Sequence, residues 1–265
     1  MLLTLLALLS GCPAPEPRAC AGSVPFGAPN ANTGLSAEQC APSCADCGGA
    51  PWAPPDYTSS DREGWLAWTL VDAPAPGESD PYAGSVDVTE PGEDAVCGFL
   101  PDSGSTYRLF DYESTAAATK AGARVTHYGR CGTCSSLQDL AVYAANPDLT
   151  EPVRACGLDN LDGDVTALTA CIAALGFTDA CATTWAWNTL HTRDACLTAC
   201  MADLDAPYNN ADGSLNDCLQ CDEDESGAVF KAVAGRTRRN TGLASSICRP
   251  CSEVKPLVHD YPTAD

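Results

Sequence analysis

From Thr178 to Leu204 the chain runs 27 residues without a proline or a glycine. At about 100° per residue its apolar groups fall into two adjacent stripes. One holds Cys181, Trp185, Cys196 and Cys200; the other holds Ala186, Leu190, Leu197, Met201 and Leu204. Thr178 followed by Asp179 is a good N-cap. The stripes cover more than half the circumference, which predicts a central helix over 178–204 packed on several sides. Its three cysteines make it a covalent spine as well.

The pattern elsewhere predicts shorter elements. Residues 61–112 read as β-rich or irregular, with GWLAWTLV and STYRLFDY as strands separated by the turn chemistry of PGESDPYAG and EPGED. Trp65, Trp68 and Phe110 are assigned to the core. Ser114 caps an Ala-rich helix. RVTHY reads as a strand and GRCGT as a tight loop. Ser135 is the expected N-cap of the next helix, with Gln138 completing a capping box and Leu137, Leu140, Ala141 and Ala144 facing inward. Beyond it the chain is helical. Thr150 caps one helix, with Pro152 in its first turn. Asp164 caps the next, which ends at Gly176. Ser214 opens LNDCLQCDEDE, and Ser226 caps GAVFKAVAGRTRRNTG with Val229, Phe230 and Val233 inward. The expected fold is mainly α with a small β-rich N-terminal part, a disulfide-rich single domain around the central helix.

Seventeen cysteines add a constraint that periodicity cannot supply. Leu2 to Leu9 is an apolar run too short to span a bilayer. It ends in Leu9-Ser10-Gly11-Cys12, which resembles the lipobox of bacterial lipoproteins. That resemblance implies cleavage before Cys12, a lipid on its thiol, and a membrane-anchored protein of the bacterial cell envelope facing the periplasm or the exterior. Sixteen cysteines then remain, an even number that reads in an exported chain as up to eight bridges. The pairing is not readable from sequence. The expected organisation is a signal peptide over 1–11, a Pro-rich tether over 12–60 partly pinned by disulfides, and a globular domain over 61–265.

Candidate chemistry follows from charge. The net charge of −21 excludes a nucleic-acid partner, which needs a basic footprint. Six of the fourteen basic residues lie between Lys231 and Lys255, opposed there only by Glu253. Two readings stay open. The acids at 222–225 and the arginines after them balance a helix dipole; or Lys231, Arg236, Arg239 and Asn240 line an anion site, with Arg236 and Arg239 sharing a helical face and Arg238 pointing away. The ligand would be an anionic small molecule or glycan. Arg124, His127, Tyr128, Arg130, Gln138 and Asp139 form a second polar set, and Trp187 with His191 a third. His127 and His191, with Asp139, are the candidate general bases and catalytic residues.

Cys131-Gly-Thr-Cys134 between a strand and a helix is the local layout of thioredoxin-like redox sites, although the strand order of that fold is missing. Four Cys-x-x-Cys pairs could build zinc sites, but export favours bridges. Cys40-x3-Cys44-x2-Cys47 has the spacing of a radical-SAM cluster in loop-like surroundings unsuited to one. Asp222-x-Asp224-x-Ser226-Gly227 matches the opening of a calcium loop and lacks its closing Glu. A metal site using His127, His191 and a carboxylate is also open; no cofactor is expected outright. There is no G-x-S-x-G, H-E-x-x-H or phosphate loop. The expected function is an envelope binding or structural module for an anionic ligand. The alternatives are an enzyme on an anionic substrate with a His base and Arg clamp, and a thiol–disulfide oxidoreductase.

Overall fold

In Thr58-x-x-Asp61 each side chain bonds the other's backbone N–H, and this capping box starts a helix where the sequence suggested a strand. The structure, a computed structural model, describes residues 24–44, 51–84, 86–161 and 164–264. Helix α1 (Ser59–Leu66) takes the first three residues of GWLAWTLV, leaving β1 (Thr69–Leu70) as a two-residue strand. Trp65 and Trp68 are buried, one helical turn apart; Phe110 is 43 % exposed and is not core. β2 (Val96–Pro101) goes unpredicted because Gly and Pro sit within it. β3 (Thr106–Tyr112) is the expected STYRLFDY strand, followed by α2 (Thr115–Lys120) on its Ser114 cap, and β4 (Arg124–Tyr128) is RVTHY. The sheet order is β1-β3-β2-β4, antiparallel except for the parallel β1–β3 pair. Between Cys97 and Gly98 the β2–β4 register slips, leaving Thr126 opposite no partner. Such a bulge frees backbone groups from the ladder.

The helices follow largely as the pattern predicts: α3 (Leu137–Ala145), α4 (Thr150–Asp159), α5 (Val165–Ala173), α6 (Asp179–Ala202), α7 (Asp217–Glu225), α8 (Gly227–Ala234) and α9 (Arg238–Thr241). The central helix is α6, capped by the Thr178 hydroxyl, which accepts from Cys181 N–H. It packs against α5 on one side and α7 and α8 on the other. The second predicted stripe is only partly buried: Ala186 is inside, whereas Leu197 and Met201 are 49 % and 54 % exposed.

Several caps differ from expectation. Ser136, not Ser135, caps α3, because Ser135 is taken by His127. Asp148 accepts from Thr150 and Glu151 N–H at the start of α4. Asn216, not Ser214, caps α7. Ser226 makes no side-chain cap; its hydroxyl is spent on His191 and Thr192. The predicted last helix is two. Gly235, at φ +72°, ends α8, and Thr237 caps α9. Asp222 and Asp224 lie within helix α7, so the calcium-loop spacing is not realised as a loop.

All fourteen described cysteines are bridged. Cys156–Cys171 joins α4 to α5; Cys196–Cys221 and Cys200–Cys218 join α6 to α7; Cys134–Cys181 ties the start of α3 to α6. Cys97–Cys131 ties β2 to the loop after β4. Cys40–Cys248 and Cys44–Cys251 fasten the N-terminal segment to the C-terminal one, where Phe26 also bridges Arg249. Part of the expected tether therefore lies against the body. Cys12, Cys20 and Cys47 lie outside the described residues. Seven bridges place this mainly helical chain in an oxidising, extracytoplasmic environment. Among the described residues no helix is long and apolar enough to cross a membrane.

Candidate functional site

Of the residues expected to grip an anion, Arg236 is spent inside the protein. Arg236 has no solvent exposure. Its guanidinium donates to the carbonyls of Thr126, Cys134 and Ser135 at 2.9 Å each, and to the Thr126 hydroxyl at 2.5 Å. The bulge at Thr126 supplies two of these acceptors. Arg238, expected to point away from the other two arginines, is half-buried and donates to the carbonyls of Tyr143, Asn146 and Ala244; desolvation pushes its pKa down to about 10. Arg236 and Arg239 do not share a helical face, because Arg236 lies outside α9. Asn240 completes the α9 capping box and donates to the carbonyls of Tyr128 and Gly235.

The candidate bases are likewise occupied. His127 is fully buried, Nδ1 donating to the Tyr128 carbonyl and Nε2 accepting from the Ser135 hydroxyl at 2.6 Å. Burial, and then the charge of Arg236, drive its pKa well below 6.5. Asp139 links two helix starts, accepting from Ser136 Oγ and from the backbone N–H and hydroxyl of Thr178. Burial raises its pKa against those hydrogen bonds. Gln138 donates to the Gly176 carbonyl. His191 sits elsewhere, stacked on Tyr82 at 4.1 Å, with Nδ1 3.0 Å from Ser226 Oγ. The structure joins His127 and Arg236 around Thr126 and Ser135; His191 and the exposed Arg124 are not among their contacts. Arg130 pairs loosely with Asp87, and the buried indole N–H of Trp187 has no hydrogen-bond partner among the described residues.

The CGTC motif is structural in this state. Cys131 and Cys134 belong to different bridges. The glycine between them packs on Gly235, and a Cβ there would lie 2.4 Å from the Val233 carbonyl oxygen. Thr133 and Cys134 N–H donate to the carbonyls of Val233 and Ala234, stitching this loop to the end of α8. Among the described residues no cluster of three His, Cys, Asp or Glu side chains could hold a metal.

The fold leaves an apolar groove of about 320 Å³ along α6, between α4 and α7–α8. Val153, Leu190, Leu219 and Phe230 line it, and Leu158, Leu161, Leu197 and Met201 at its rim are 41–54 % exposed. An apolar cleft with a few placed polar groups is the usual form of a ligand site. Its polar part is built on Glu223 of α7. Arg239 donates to both Glu223 oxygens, at 2.7 and 3.0 Å, and Arg249 donates to one at 2.6 Å. Burial alone would raise the Glu223 pKa, but Arg249, Arg239 and Lys231 together hold its carboxyl below the usual range. Beside it Asp222 accepts from Thr192 and, at 3.1 Å, from Asn188; burial raises its pKa.

The lining reverses the charge of the chain. It contains six basic residues, Arg154, Arg193, Lys231, Arg238, Arg239 and Arg249, and two acidic ones, Asp222 and Glu223. The whole chain has fourteen basic and thirty-five acidic residues. Of the predicted ligand-binding residues the groove gathers Lys231 and Arg239. It adds Arg249, Glu223 and the Leu197–Met201 rim, which sequence reasoning did not select. Their signal was apolar residues on α6 beyond what one core face needs.

Residues 165–257, which carry α5 to α9 and the basic part of the groove, match a family of unknown function, DUF8771. No curated protein matches the chain. No solved structure matches it.

Proposed function

We propose that the protein is an extracytoplasmic binding module that holds an anionic, largely apolar ligand in the groove along α6, anchored to the membrane by a lipid on Cys12. The observation that carries the binding reading is the charge reversal: a chain of net −21 lines this one apolar cleft with six cations and two acids. Opposite charge focused in a low-dielectric cleft raises the local concentration of an anion. Bridges between α6 and α7 and between α4 and α5 support a pre-formed site, which lowers the entropy cost of binding. Neither His127 nor His191 lines the groove, which favours binding over acid–base catalysis.

Fluorescence titration with anilinonaphthalene sulfonate tests the groove. The purified protein should bind the probe saturably at one site. Leu197→Glu with Met201→Glu, both at exposed rim positions, should weaken binding about tenfold or more through lost apolar contact and like charge, without altering the circular dichroism. Absent or unchanged binding would remove the proposal. The anchor is tested separately. Cys12→Ser should move the protein from membrane to soluble fractions, and unchanged fractionation would exclude the lipid.

A further inference from the structure

Two cations of the groove keep donors to spare, and both act on the Glu223 carboxyl. Arg249 uses Nη2 on Glu223; its Nε and Nη1 make no hydrogen bond among the described residues. Among the described residues the Lys231 ammonium makes one ion pair, a loose one at 4.0 Å with Glu90, itself 77 % exposed, and acts on Glu223 from farther off. The other lining cations are committed. Arg154 pairs with Glu151 and donates to the Leu204 carbonyl; Arg193 pairs with Asp194 and donates to the Leu161 carbonyl. Arg238 is locked onto carbonyls, and Arg239 is shared between Glu223 and Glu253. Usable positive charge is therefore concentrated around Glu223, and the run of α6 from Leu190 to Met201 is mainly apolar along the groove.

We infer that the groove takes a single-chain carboxylate, its head between Lys231 and Arg249 and its chain running along α6 to leave between Met201 and Leu158. This rests on the groove being the ligand site. The carboxylate head is argued from Glu223, whose own carboxylate accepts there from one nitrogen of each of two guanidinium groups, Arg239 Nη2 and Arg249 Nη2, which leaves the rest of the Arg249 fork for a second carboxylate. The single chain is argued from volume: about 320 Å³ lies at the small end of ligand pockets, which run from roughly 300 to 1,000 Å³. The Asp222 carboxyl beside the head is already engaged, accepting from Thr192 and Asn188.

Calorimetric titration of the purified protein with dodecanoate, dodecanol, acetate and dodecyl phosphate tests this. Dodecanoate should bind about tenfold or more tighter than dodecanol, the effect of one charge-assisted contact. Acetate should not bind measurably, and affinity should rise about fourfold per methylene from octanoate to dodecanoate. Lys231→Gln and Arg249→Gln should each reduce the preference for dodecanoate over dodecanol and leave dodecanol affinity unchanged; Arg193→Gln should change neither. Lys231 is a surface side chain, so its variant tests the head-group contact even if the Arg249 variant folds poorly. Equal binding of dodecanoate and dodecanol, tighter binding of dodecyl phosphate, or a preference untouched by Lys231→Gln would overturn the inference. If the chains bind and Leu197→Glu weakens them, the groove reading survives that result. If no chain binds at all, the groove reading falls with it.

Discussion

Arg236 brings a full charge into the core with no carboxylate in hydrogen-bond reach among the described residues, and its cost is offset chiefly by neutral oxygens, with Asp139 attracting it from farther off. Three carbonyls and a hydroxyl are aimed at it from β4 and from the start of α3. Without the guanidinium the three carbonyls would each lose a buried, charge-assisted partner. Lysine has one compact head and cannot span the set. Arg236→Lys should therefore cost about 3 kcal/mol or more in denaturant unfolding. Arg108→Lys, in an exposed pairing with Asp72 and Asp102, should cost under about 1 kcal/mol. Similar losses would show that Arg236 is not the hub. The same charge helps keep its neighbours neutral. Burial first, and then Arg236, push His259 down to about 3 and His127 well below its ordinary 6.5. Between those values the unfolded chain binds more protons than the folded one. Stability is thus full above about pH 6.5 and falls as the pH drops through it, by up to about 1.4 kcal/mol per unit for each histidine. Asp139 and Asp222, raised by burial, act in the opposite sense nearer pH 4. In His259→Gln the amide can still donate to the Thr241 carbonyl, as Nε2 does, but cannot titrate. Its stability between about pH 7 and 5 should fall with a slope shallower by about one proton. An unchanged slope would count against burial as the cause.

At the scale of elements, the Cys131–Cys134 loop and the end of α8 approach so closely that neither tolerates a side chain where they meet. Gly132 and Gly235 face each other, and Gly235 holds φ +72°. Gly132→Ala would place its Cβ 2.4 Å from the Val233 carbonyl oxygen and 2.6 Å from the Ala234 carbonyl carbon. Both belong to backbone that also accepts the loop's hydrogen bonds, so nothing can give way cheaply. It should cost several kcal/mol, on the order of an overpacked core site or more. Gly64→Ala, inside α1 with open space around it, should instead stabilise by about 0.5–1 kcal/mol. Thermal melts of the two variants should move in opposite directions. This contact also explains what was legible in the sequence. The helix α6, its Thr178 cap and the strand RVTHY were readable because they rest on local pattern. The break at Gly235 was not, because a glycine inside an apolar-periodic run is tolerated in a helix, and only the opposing loop decides against it. With the break unseen, Arg236 was assigned to a helical face instead of the core. Asp139 looked catalytic for a related reason: its partner Thr178 lies 39 residues away, and sequence offers no sign that one carboxylate serves two helix starts. Of the groove, Lys231 and Arg239 were legible as charge, whereas Arg249 and Glu223 meet only through tertiary packing.

For the whole molecule, the bridges divide into local clips and one long-range staple. Cys156–Cys171, Cys200–Cys218 and Cys196–Cys221 span 15 to 25 residues, whereas Cys40–Cys248 and Cys44–Cys251 span 208 and 207. The long pair starts and ends within four residues, so the two bridges share one loop. Closing that loop once removes on the order of 5 kcal/mol of chain entropy from the unfolded state, even after the inner bridges shorten it. Once either bridge is present, the other closes only a handful of residues and adds about 2–3 kcal/mol. Each is therefore a spare for the other. Replacing the Cys40–Cys248 pair by alanines should cost about 2–3 kcal/mol, and so should replacing Cys44–Cys251. Replacing all four should cost about 7–8 kcal/mol, more than the sum of the two. The excess belongs to the shared loop and should appear as a coupling of a few kcal/mol in a double-mutant cycle read by denaturant unfolding. The four-alanine variant should also become open to proteolysis around Phe26 and Trp52, which pack on each other and on a small cluster with Ala244, Cys251 and Val254. Additive losses would mean that non-covalent contacts already hold the two termini together in the unfolded ensemble, and that the bridges act on the folded state instead.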